Sequence, residues 1–161
     1  MILFEKVRWK NFLSTGNQFI EINFQTDGES RFAKNSTTLI VGTNGAGKST
    51  VLDALTFSLF NKPFRKISKS QLVNTVNEKD CRVEVEFSIG STSWKVARGI
   101  KPNTFEIWRD GNLLDQSASA NDQQKWLELN VLKMNYKSFT QIVILGSSAF
   151  VPFMQLTAST R

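Results

Sequence analysis

The sequence feature that most constrains the fold is the run from Gly42 to Ser49, GTNGAGKS, which matches the phosphate-binding loop pattern G-x-x-x-x-G-K-[ST] at every fixed position. A short apolar and β-branched run at residues 37–41 precedes it and predicts a buried strand. Residues 48–60 follow with apolar side chains at helical spacing. This order of strand, glycine loop and helix predicts a fold that binds a nucleoside triphosphate.

The residue types in the loop suit phosphate chemistry. Glycines let the backbone turn tightly so that amide N–H groups face an anion, and the helix N-terminus adds partial positive charge. We predict that Lys48 reaches the β- and γ-phosphates as the catalytic lysine, and that the Ser49 hydroxyl ligates Mg²⁺. The predicted nucleotide-binding residues of the loop are Asn44, Gly45, Ala46, Gly47, Lys48, Ser49 and Thr50.

Composition narrows the class of protein. With 161 residues and 40% hydrophobic residues, the chain is long and apolar enough for one domain with a sizeable core. The net charge of +6 suits an acidic partner such as nucleic acid or the nucleotide itself, although an ordinary basic surface stays open. A single cysteine, no apolar run of about 20 residues and no signal-peptide pattern lead us to expect a cytoplasmic protein without membrane contact.

Period-two alternation predicts most of the strands. Residues 2–12 and 19–25 predict a hairpin ahead of the glycine loop. Residues 81–89 alternate most regularly, and 92–98 and 105–109 follow after turn signals. These runs predict an antiparallel meander added to the nucleotide-binding core.

The last third of the chain predicts helices around one more strand. Ser119 is placed to cap a helix that runs to about residue 132. Residues 139–145 predict a buried strand, 146–148 a loop and 150–156 a final helix. The fold class predicted from all these elements is α/β, a P-loop NTPase with an added antiparallel β-meander.

A basic segment follows the predicted P-loop helix. Pro63 is expected to end that helix, and Lys62, Arg65 and Lys66 cluster around it. The cluster is either a solvated loop or a contact to nucleotide or DNA phosphates. The sequence leaves both interpretations open.

The acidic strand of a complete P-loop hydrolase is not recognisable. Such a strand ends in an aspartate that holds Mg²⁺, often beside a glutamate that activates water. Residues 105–110 do not fit this pattern, because charged residues interrupt the apolar run and it ends in a hairpin turn. Asp53 does not fit it either, because it lies on the P-loop helix. Residues 77–80 resemble a guanine-reading motif but come before a strand, so we interpret them as a turn. The rest of the catalytic site is therefore expected in another segment of the same protein, in a partner chain, or in both.

Two stretches carry a family resemblance. Residues 10–14, KNFLS, and residues 42–55, GTNGAGKSTVLDAL, resemble the N-terminal lobe of SbcC-type ATPases. These belong to the structural-maintenance-of-chromosomes branch of the ABC ATPases, and the similarity extends to ATPase subunits of phage recombination and repair nuclease complexes. The resemblance covers essentially the whole chain. It implies that residues 1–161 form one domain, the N-terminal lobe of an ABC-type ATPase head, cut where a coiled coil would begin.

The resemblance also implies a mechanism and partners. ATP with Mg²⁺ would bind between this lobe and a second head, so that the partners are the C-terminal lobe of the same protein and a second copy in an ATP-dependent homodimer. ATP binding and hydrolysis would gate the access of a nuclease subunit to double-stranded DNA during double-strand-break repair and recombination. DNA would be contacted mainly through its backbone. The isolated chain is expected to be inactive, and a phage-encoded protein would work in the host cytoplasm.

Three further site residues come from the resemblance. Ser14 matches a nucleotide-contacting position, whereas Leu13 stands where the family often has arginine. The family has a glutamine that ligates Mg²⁺ in a loop after the last strand. By register that position is Ser147, with Gln141 as the alternative.

Other functions stay open on the sequence alone. A self-contained small P-loop kinase or GTPase would need an acidic residue and lid arginines within this chain. A nucleotide-binding module that never hydrolyses its ligand would need neither.

Overall fold

The computed structural model describes residues 1–26, 29–30 and 39–144. The larger sheet contains six strands: β1 (Ile2–Lys10), β2 (Ile20–Asn23), β5 (Cys81–Ile89), β6 (Thr92–Ile100), β7 (Thr104–Arg109) and β8 (Asn112–Leu113). They pair antiparallel in the order β2-β1-β5-β6-β7-β8. A separate two-stranded sheet pairs β3 (Gln25–Thr26) with β4 (Glu29–Ser30). The predicted hairpin and meander are confirmed.

The inner face of the large sheet builds the core against the helix that follows the glycine loop. That helix, α1 (Lys48–Phe60), has the predicted bounds. In the register of β1 with β5, Val7 pairs with Val85 and Trp9 with Val83, so apolar side chains alternate onto one face. Phe57 of α1 is fully buried, and its ring centroid lies 5.8 Å from that of Phe12. Burial of this face holds α1, and with it the glycine loop, against the sheet.

The end of α1 is set by a left-handed cap. Asn61 has φ 59°, and its N–H donates to the carbonyl of Phe57 at 2.9 Å. The helix therefore ends at Phe60, which is the predicted bound, through the cap at Asn61 and before Pro63, the residue that was expected to end it. A 3₁₀ turn, Lys69–Leu72, lies in the segment that returns towards the sheet.

A buried arginine joins α1 to the helices near the end of the described chain. Arg98 of β6 is 4% exposed, its Nε donates to the carbonyl of Ser58 at 2.7 Å, and a terminal nitrogen donates to Gln124. Burial lowers the pKa of Arg98 to about 9, against the opposing effect of Glu128. Gln124 belongs to α2 (Ala120–Trp126), which continues as a π-helix (Leu127–Leu132) and is followed by α3 (Tyr136–Ile142). Ser119 caps α2 by accepting the N–H of Asp122, as predicted.

The outer face of the sheet carries an ion-pair network around Glu84. This carboxylate is 3% exposed and lies 2.6 Å from Arg8, 2.6 Å from Arg82 and 3.0 Å from Lys95. Burial alone would raise the pKa of Glu84, but hydrogen bonds from Arg82, Lys95 and Arg8 outweigh it and lower the pKa to about 2. Much of the positive charge on this face is therefore paired within the protein.

The strand predicted at residues 37–41 is wrong for the part that the structure describes. Residues 39–41 have no regular secondary structure, and Leu39 and Val41 are 81% and 77% exposed. An apolar run becomes a strand only when its backbone groups pair with a neighbour. Among the described residues, each ladder is antiparallel and none includes this run. Residues 37–38 lie outside the described residues.

The strand predicted at residues 139–145 is also wrong, because its first part is helical. The side chain of Asn135 accepts the N–H of Ser138 at 2.9 Å and caps α3. Phe139 is buried, with ring centroids 5.1 Å from Phe60 and 6.4 Å from Phe4. A short apolar run does not by itself distinguish a buried helix from a buried strand. The predicted loop at 146–148 and helix at 150–156 lie outside the described residues.

In the part of the chain that the structure describes, no helix has the length and apolar character needed to cross a membrane.

Candidate nucleotide-binding site

The glycine loop is closed by residues in the left-handed backbone region. Gly45 has φ 86° and Gly47, the N-cap of α1, has φ 87°, conformations that glycine adopts without strain. The N–H of Thr50 donates to the carbonyl of Gly47 at 2.9 Å. The loop therefore ends directly at the N-terminus of α1, where the first backbone N–H groups lack helical acceptors and can bind an anion.

The side chain of Lys48 folds back over this loop. Its Nζ donates to the carbonyl of Gly42 at 2.6 Å and to that of Thr43 at 2.8 Å. These contacts hold the ammonium group beside the loop rather than in bulk solvent. A cation so placed complements the charge of a phosphate bound by the loop amides.

Asn11, in the KNF stretch, organises the neighbouring wall. It is 1% exposed, and its Nδ2 donates to Oδ1 of Asn17 at 3.0 Å and to the carbonyl of Asp80 at 3.2 Å. Its Oδ1 accepts from Nδ2 of Asn77 at 2.7 Å. A carboxamide can donate and accept at once, which explains why asparagine suits this junction of three chain segments.

Phe12 and Leu13 attach the same wall to the segment that returns after α1. Phe12 is fully buried and forms an isolated antiparallel bridge with Val73. The N–H of Leu13 donates to the carbonyl of Leu72 at 2.7 Å, and its carbonyl accepts from Nδ2 of Asn74 at 3.0 Å. The bridge and these two hydrogen bonds position the next residue, Ser14, beside the glycine loop.

A cavity of about 580 Å³ lies where these segments meet. All the predicted nucleotide-binding residues except Ala46 line it: Ser14, Asn44, Gly45, Gly47, Lys48, Ser49 and Thr50. Ala46 lines a neighbouring cavity of about 430 Å³, which also reaches Ser14 and Lys48. The structure thus brings residue 14 and the glycine loop together across a long separation in sequence.

The other residues of the cavity wall are Leu13, Arg65, Gln71, Val73 and Thr75. The sequence assigned no role in the site to Gln71, Val73 or Thr75. Val73 and Thr75 reach it through the bridge between Phe12 and Val73, and no sequence signal marked that bridge in advance. Arg65 belongs to the basic segment that had two interpretations. It alone of the three basic side chains there lines this cavity, and Lys62 instead lies 5.6 Å from the ring centroid of Tyr136.

Asp53 holds Arg65 in place. Its carboxylate is fully buried, with Oδ1 accepting the backbone N–H of Arg65 at 2.9 Å and Oδ2 accepting its Nε at 2.5 Å. Asp53 lies four residues after Ser49, so both are on one face of α1. The signal that could have found this pair is a carboxylate on the phosphate-proximal face of the P-loop helix, followed by a basic loop.

The charge of the cavity favours an anion. Lys48 and Arg65 line it, and no aspartate or glutamate does so within residues 1–24 and 39–144. Asp53, which does not line the cavity, pairs with Nε of Arg65. The cationic groups that line the cavity raise the local concentration of phosphate ligands.

The candidates for a second Mg²⁺ ligand are not brought to this cavity. Ser147 lies outside the described residues, and Gln141 lies on α3 rather than at the start of a strand. Gln141 is not among the residues that line the cavity. Both roles stay predictions.

Comparison with known proteins identifies the family. The family described as "AAA domain" matches residues 6–160. The chain belongs to this family. Its curated relatives include Exonuclease subunit 2 of Escherichia phage RB69, 43% identical over 97% of this chain, and that of Enterobacteria phage T4, 42% identical over 97%. A probable DNA double-strand break repair Rad50 ATPase of Aquifex aeolicus is 28% identical over 76% of this chain. These relatives confirm the resemblance drawn from the KNFLS and glycine-loop stretches.

The AAA-domain chain is short beside these proteins. It spans 26% of the length of each of the two phage proteins and 13% of the Aquifex protein. Among solved structures, the Smc head domain of Pyrococcus furiosus superposes with a TM-score of 0.54 at 20% identity, over 88% of this chain and 36% of that one. This likeness confirms the predicted P-loop ATPase fold class.

Proposed function

We propose that this chain is the ATP-binding N-terminal lobe of an ATPase of DNA double-strand-break repair and recombination. The observation that carries the proposal is the cavity in which Lys48 and Ser49 of the glycine loop meet Ser14 of the KNFLS stretch. Relatives named Exonuclease subunit 2 and Rad50 ATPase support the biological setting. ATP binding and hydrolysis would gate the access of a partner nuclease to DNA.

The residues present fit ATP with Mg²⁺. The backbone amides of residues 44–47 would hold the β-phosphate, Lys48 would bridge the β- and γ-phosphates, and the Ser49 hydroxyl would ligate the metal. Thr50 and Ser14 complete the wall of the same cavity. When bound, Mg²⁺ would neutralise negative charge on the phosphates.

The hydrolytic half of the site would come from elsewhere. Phosphoryl transfer to water needs an acidic residue that holds the metal and a group that orients the water. Within the described ranges, no acidic side chain lines the cavity. We therefore propose that residues 1–161 form one domain that is completed by a C-terminal lobe of the same protein and by a second copy of the head. The greater length of the relatives leaves room for such a lobe.

The remaining partners follow from the same assignment. The net charge of +6 supports backbone contact to double-stranded DNA, which would weaken with added salt. A nuclease subunit is proposed as the protein partner because of the phage relatives' name. The proposed location is the cytoplasm, that of the host if a phage encodes the protein.

The deciding experiment is Mg²⁺-ATP turnover by the 161-residue chain alone, with and without DNA, and again after adding a C-terminal segment of the longer protein. No turnover alone, with activity restored by the added segment, supports the two-lobe proposal. Steady turnover by the chain alone would instead indicate a small self-contained P-loop enzyme. ATP binding without turnover in any combination would favour a non-hydrolysing module.

A further inference from the structure

We infer that Tyr136 is a positioning residue, which ties α3 to the loop after α1 and so couples nucleotide binding to α3. That loop, residues 61–66, is named the post-helix loop. The inference rests on the proposed function, because it assigns a coupling contact to the same nucleotide site. Tyr136 itself is not among the residues that line the nucleotide cavity.

The first observation is a hydrogen bond between two distant parts of the chain. Tyr136 is the first residue of α3, and its Oη donates to the carbonyl of Pro63 at 2.8 Å, across 73 positions. Burial raises the pKa of Tyr136, and the negative charge of Asp53 raises it further, so the hydroxyl keeps its proton at neutral pH. The phenol is therefore a constant donor to the post-helix loop.

The ring of Tyr136 packs on the same region. Its centroid lies 5.9 Å from that of Phe60 in an edge-to-face arrangement and 5.6 Å from Nζ of Lys62. Both geometries stabilise a contact. Phe139, on the next turn of α3, also packs on Phe60, with ring centroids 5.1 Å apart. Apolar packing thus attaches α3 to the end of α1, and the hydroxyl adds a directional contact to the loop beyond it.

The post-helix loop has a second anchor two residues after Pro63. Asp53 of α1 accepts the backbone N–H of Arg65 at 2.9 Å and its Nε at 2.5 Å. Arg65 lines the nucleotide cavity together with Lys48. A ligand in that cavity therefore meets a wall whose backbone is held, two residues away, by the hydroxyl of α3.

Preorganisation gives this contact a consequence for binding. A loop that is held in place before its ligand arrives loses less conformational freedom on binding. The hydrogen bond from Tyr136 should therefore strengthen ATP binding. Coupling between two sites is reciprocal, so bound ATP should in turn slow the local opening of α3. A hydroxyl that only stabilised the fold would leave the effect of ATP on α3 unchanged when it was removed.

The test compares the full-length protein with Tyr136→Phe, which keeps the ring and removes only the hydroxyl. Calorimetry with Mg²⁺ measures ATP affinity, and mass spectrometry measures hydrogen–deuterium exchange of the α3 backbone with and without ATP. In the parent protein, ATP should slow this exchange about threefold or more. In Tyr136→Phe the slowing should disappear, and ATP binding should weaken about three- to tenfold, the range expected for one hydrogen bond.

Thr140→Val is the matched control. It removes a hydroxyl from the same helix, but Oγ1 of Thr140 donates to the carbonyls of Tyr136 and Lys137 within α3. Its ATP affinity, and the effect of ATP on its α3 exchange, should stay within about twofold of the parent. Thermal unfolding without nucleotide checks that both variants fold. An equal loss in Thr140→Val would show that α3 stability in general is responsible, and would overturn the role of Tyr136.

The outcomes separate this inference from the proposed function. If Lys48→Ala weakens ATP binding but Tyr136→Phe matches the parent in affinity and exchange, the role of Tyr136 is overturned and the proposed function stands. If exchange in Tyr136→Phe rises equally with and without ATP, the hydroxyl only stabilises the fold, which also overturns the inference. If Lys48→Ala leaves ATP binding unchanged, the proposed function fails and this inference fails with it.

A measurement on the parent protein decides the matter if Tyr136→Phe does not fold. Exchange in α3 that ATP does not slow would overturn the inference. Slowing that is present in the parent protein and absent in Lys48→Ala would support it.

Discussion

The side-chain oxygen of Asn11 accepts a hydrogen bond from Nδ2 of Asn77 at 2.7 Å, although the residues are 66 positions apart in the chain. Through this contact the end of β1 is joined to the loop that precedes β5. The same carboxamide also reaches Asn17 and the carbonyl of Asp80. Asn11 therefore connects the segments that form one wall of the nucleotide cavity.

We predict that Asn11→Ala lowers the free energy of unfolding by about 2–3 kcal/mol, because it leaves buried polar partners unsatisfied. ATP affinity should fall as well, since Ser14 is positioned by this junction. Urea unfolding measures the first effect and calorimetry the second. Asn112→Ala is the control, because Asn112 lies on an exposed hairpin and its Nδ2 donates to the carbonyl of its near neighbour Asp110. An Asn11→Ala protein as stable as the control would contradict the prediction.

A second prediction concerns the stability of the protein at acidic pH. Hydrogen bonds from Arg82, Lys95 and Arg8 overcome the effect of burial and lower the pKa of Glu84 to about 2, from an ordinary value of 4.5. A carboxyl whose pKa is depressed by folding stabilises the native state above its unfolded pKa. That stabilisation is lost as the pH falls through the folded pKa. We expect the free energy of unfolding to decline between about pH 4.5 and 2, and the decline to flatten in Glu84→Gln.

The matched control for this pH dependence is Glu21→Gln. Glu21 also lies on the sheet near a lysine, but its side chain is 41% exposed and its contact to Lys6 is 3.7 Å. Exposed ion pairs contribute little to stability. If the free energy of unfolding depends on pH identically in Glu84→Gln and in the parent protein, the ion-pair network around Glu84 is not the cause of the loss of stability in acid.

The sequence predicted the helix and strands in which apolar residues recur at a regular spacing. The bounds of α1 agree with the helical spacing of apolar residues at 48–60. The bounds of β5 agree with the alternation at 81–89. The runs at 37–41 and 139–145 were misassigned, because hydrophobic content alone does not say which backbone groups will pair. In the second run the cap at Asn135 was the better signal.

Within the site, the glycine loop and Ser14 were predictable from motif and resemblance. For the basic segment the sequence left contact to nucleotide phosphates as one of two interpretations. It did not predict that Arg65 alone of the three basic side chains lines the cavity, because this depends on a loop that returns to Asp53 after a turn whose geometry no local pattern specifies. Gln71, Val73 and Thr75 reach the cavity for the same reason. Residues that reach a binding site from a distant part of the chain are not marked by any local sequence pattern.

A third prediction concerns the single cysteine. Cys81 is 1% exposed, and burial together with the charge of Asp80 raises the pKa of its thiol to about 12. Since the thiolate is the reactive form, the native protein should react very slowly with a thiol reagent at about pH 8. Reaction should become fast in denaturant, and Cys81→Ser should give no signal in either state. Rapid labelling of the native protein would contradict the buried placement of Cys81.

A fourth prediction addresses the phosphate site. Lys48→Ala should abolish productive ATP binding or turnover in the assembled complex, through loss of the cation that neutralises the β- and γ-phosphates. Its fold should survive, because the hydrogen bonds of Lys48 to described residues go only to the exposed loop carbonyls of Gly42 and Thr43. Thermal unfolding without nucleotide checks this point. Unchanged turnover in a folded Lys48→Ala protein would rule out the P-loop assignment.

The same assay ranks the two candidates for the second metal ligand. If the register argued from the sequence is right, Ser147→Ala should reduce Mg²⁺-dependent turnover more than Gln141→Ala. Gln141 lies on α3 and does not line the described cavity, so its replacement should leave the Mg²⁺ dependence close to that of the parent protein. A titration of turnover against Mg²⁺ concentration separates a lost ligand, which raises the concentration needed, from a general loss of activity. A larger shift in Gln141→Ala would reverse the ranking and assign the metal contact to the helix instead of the segment beyond it.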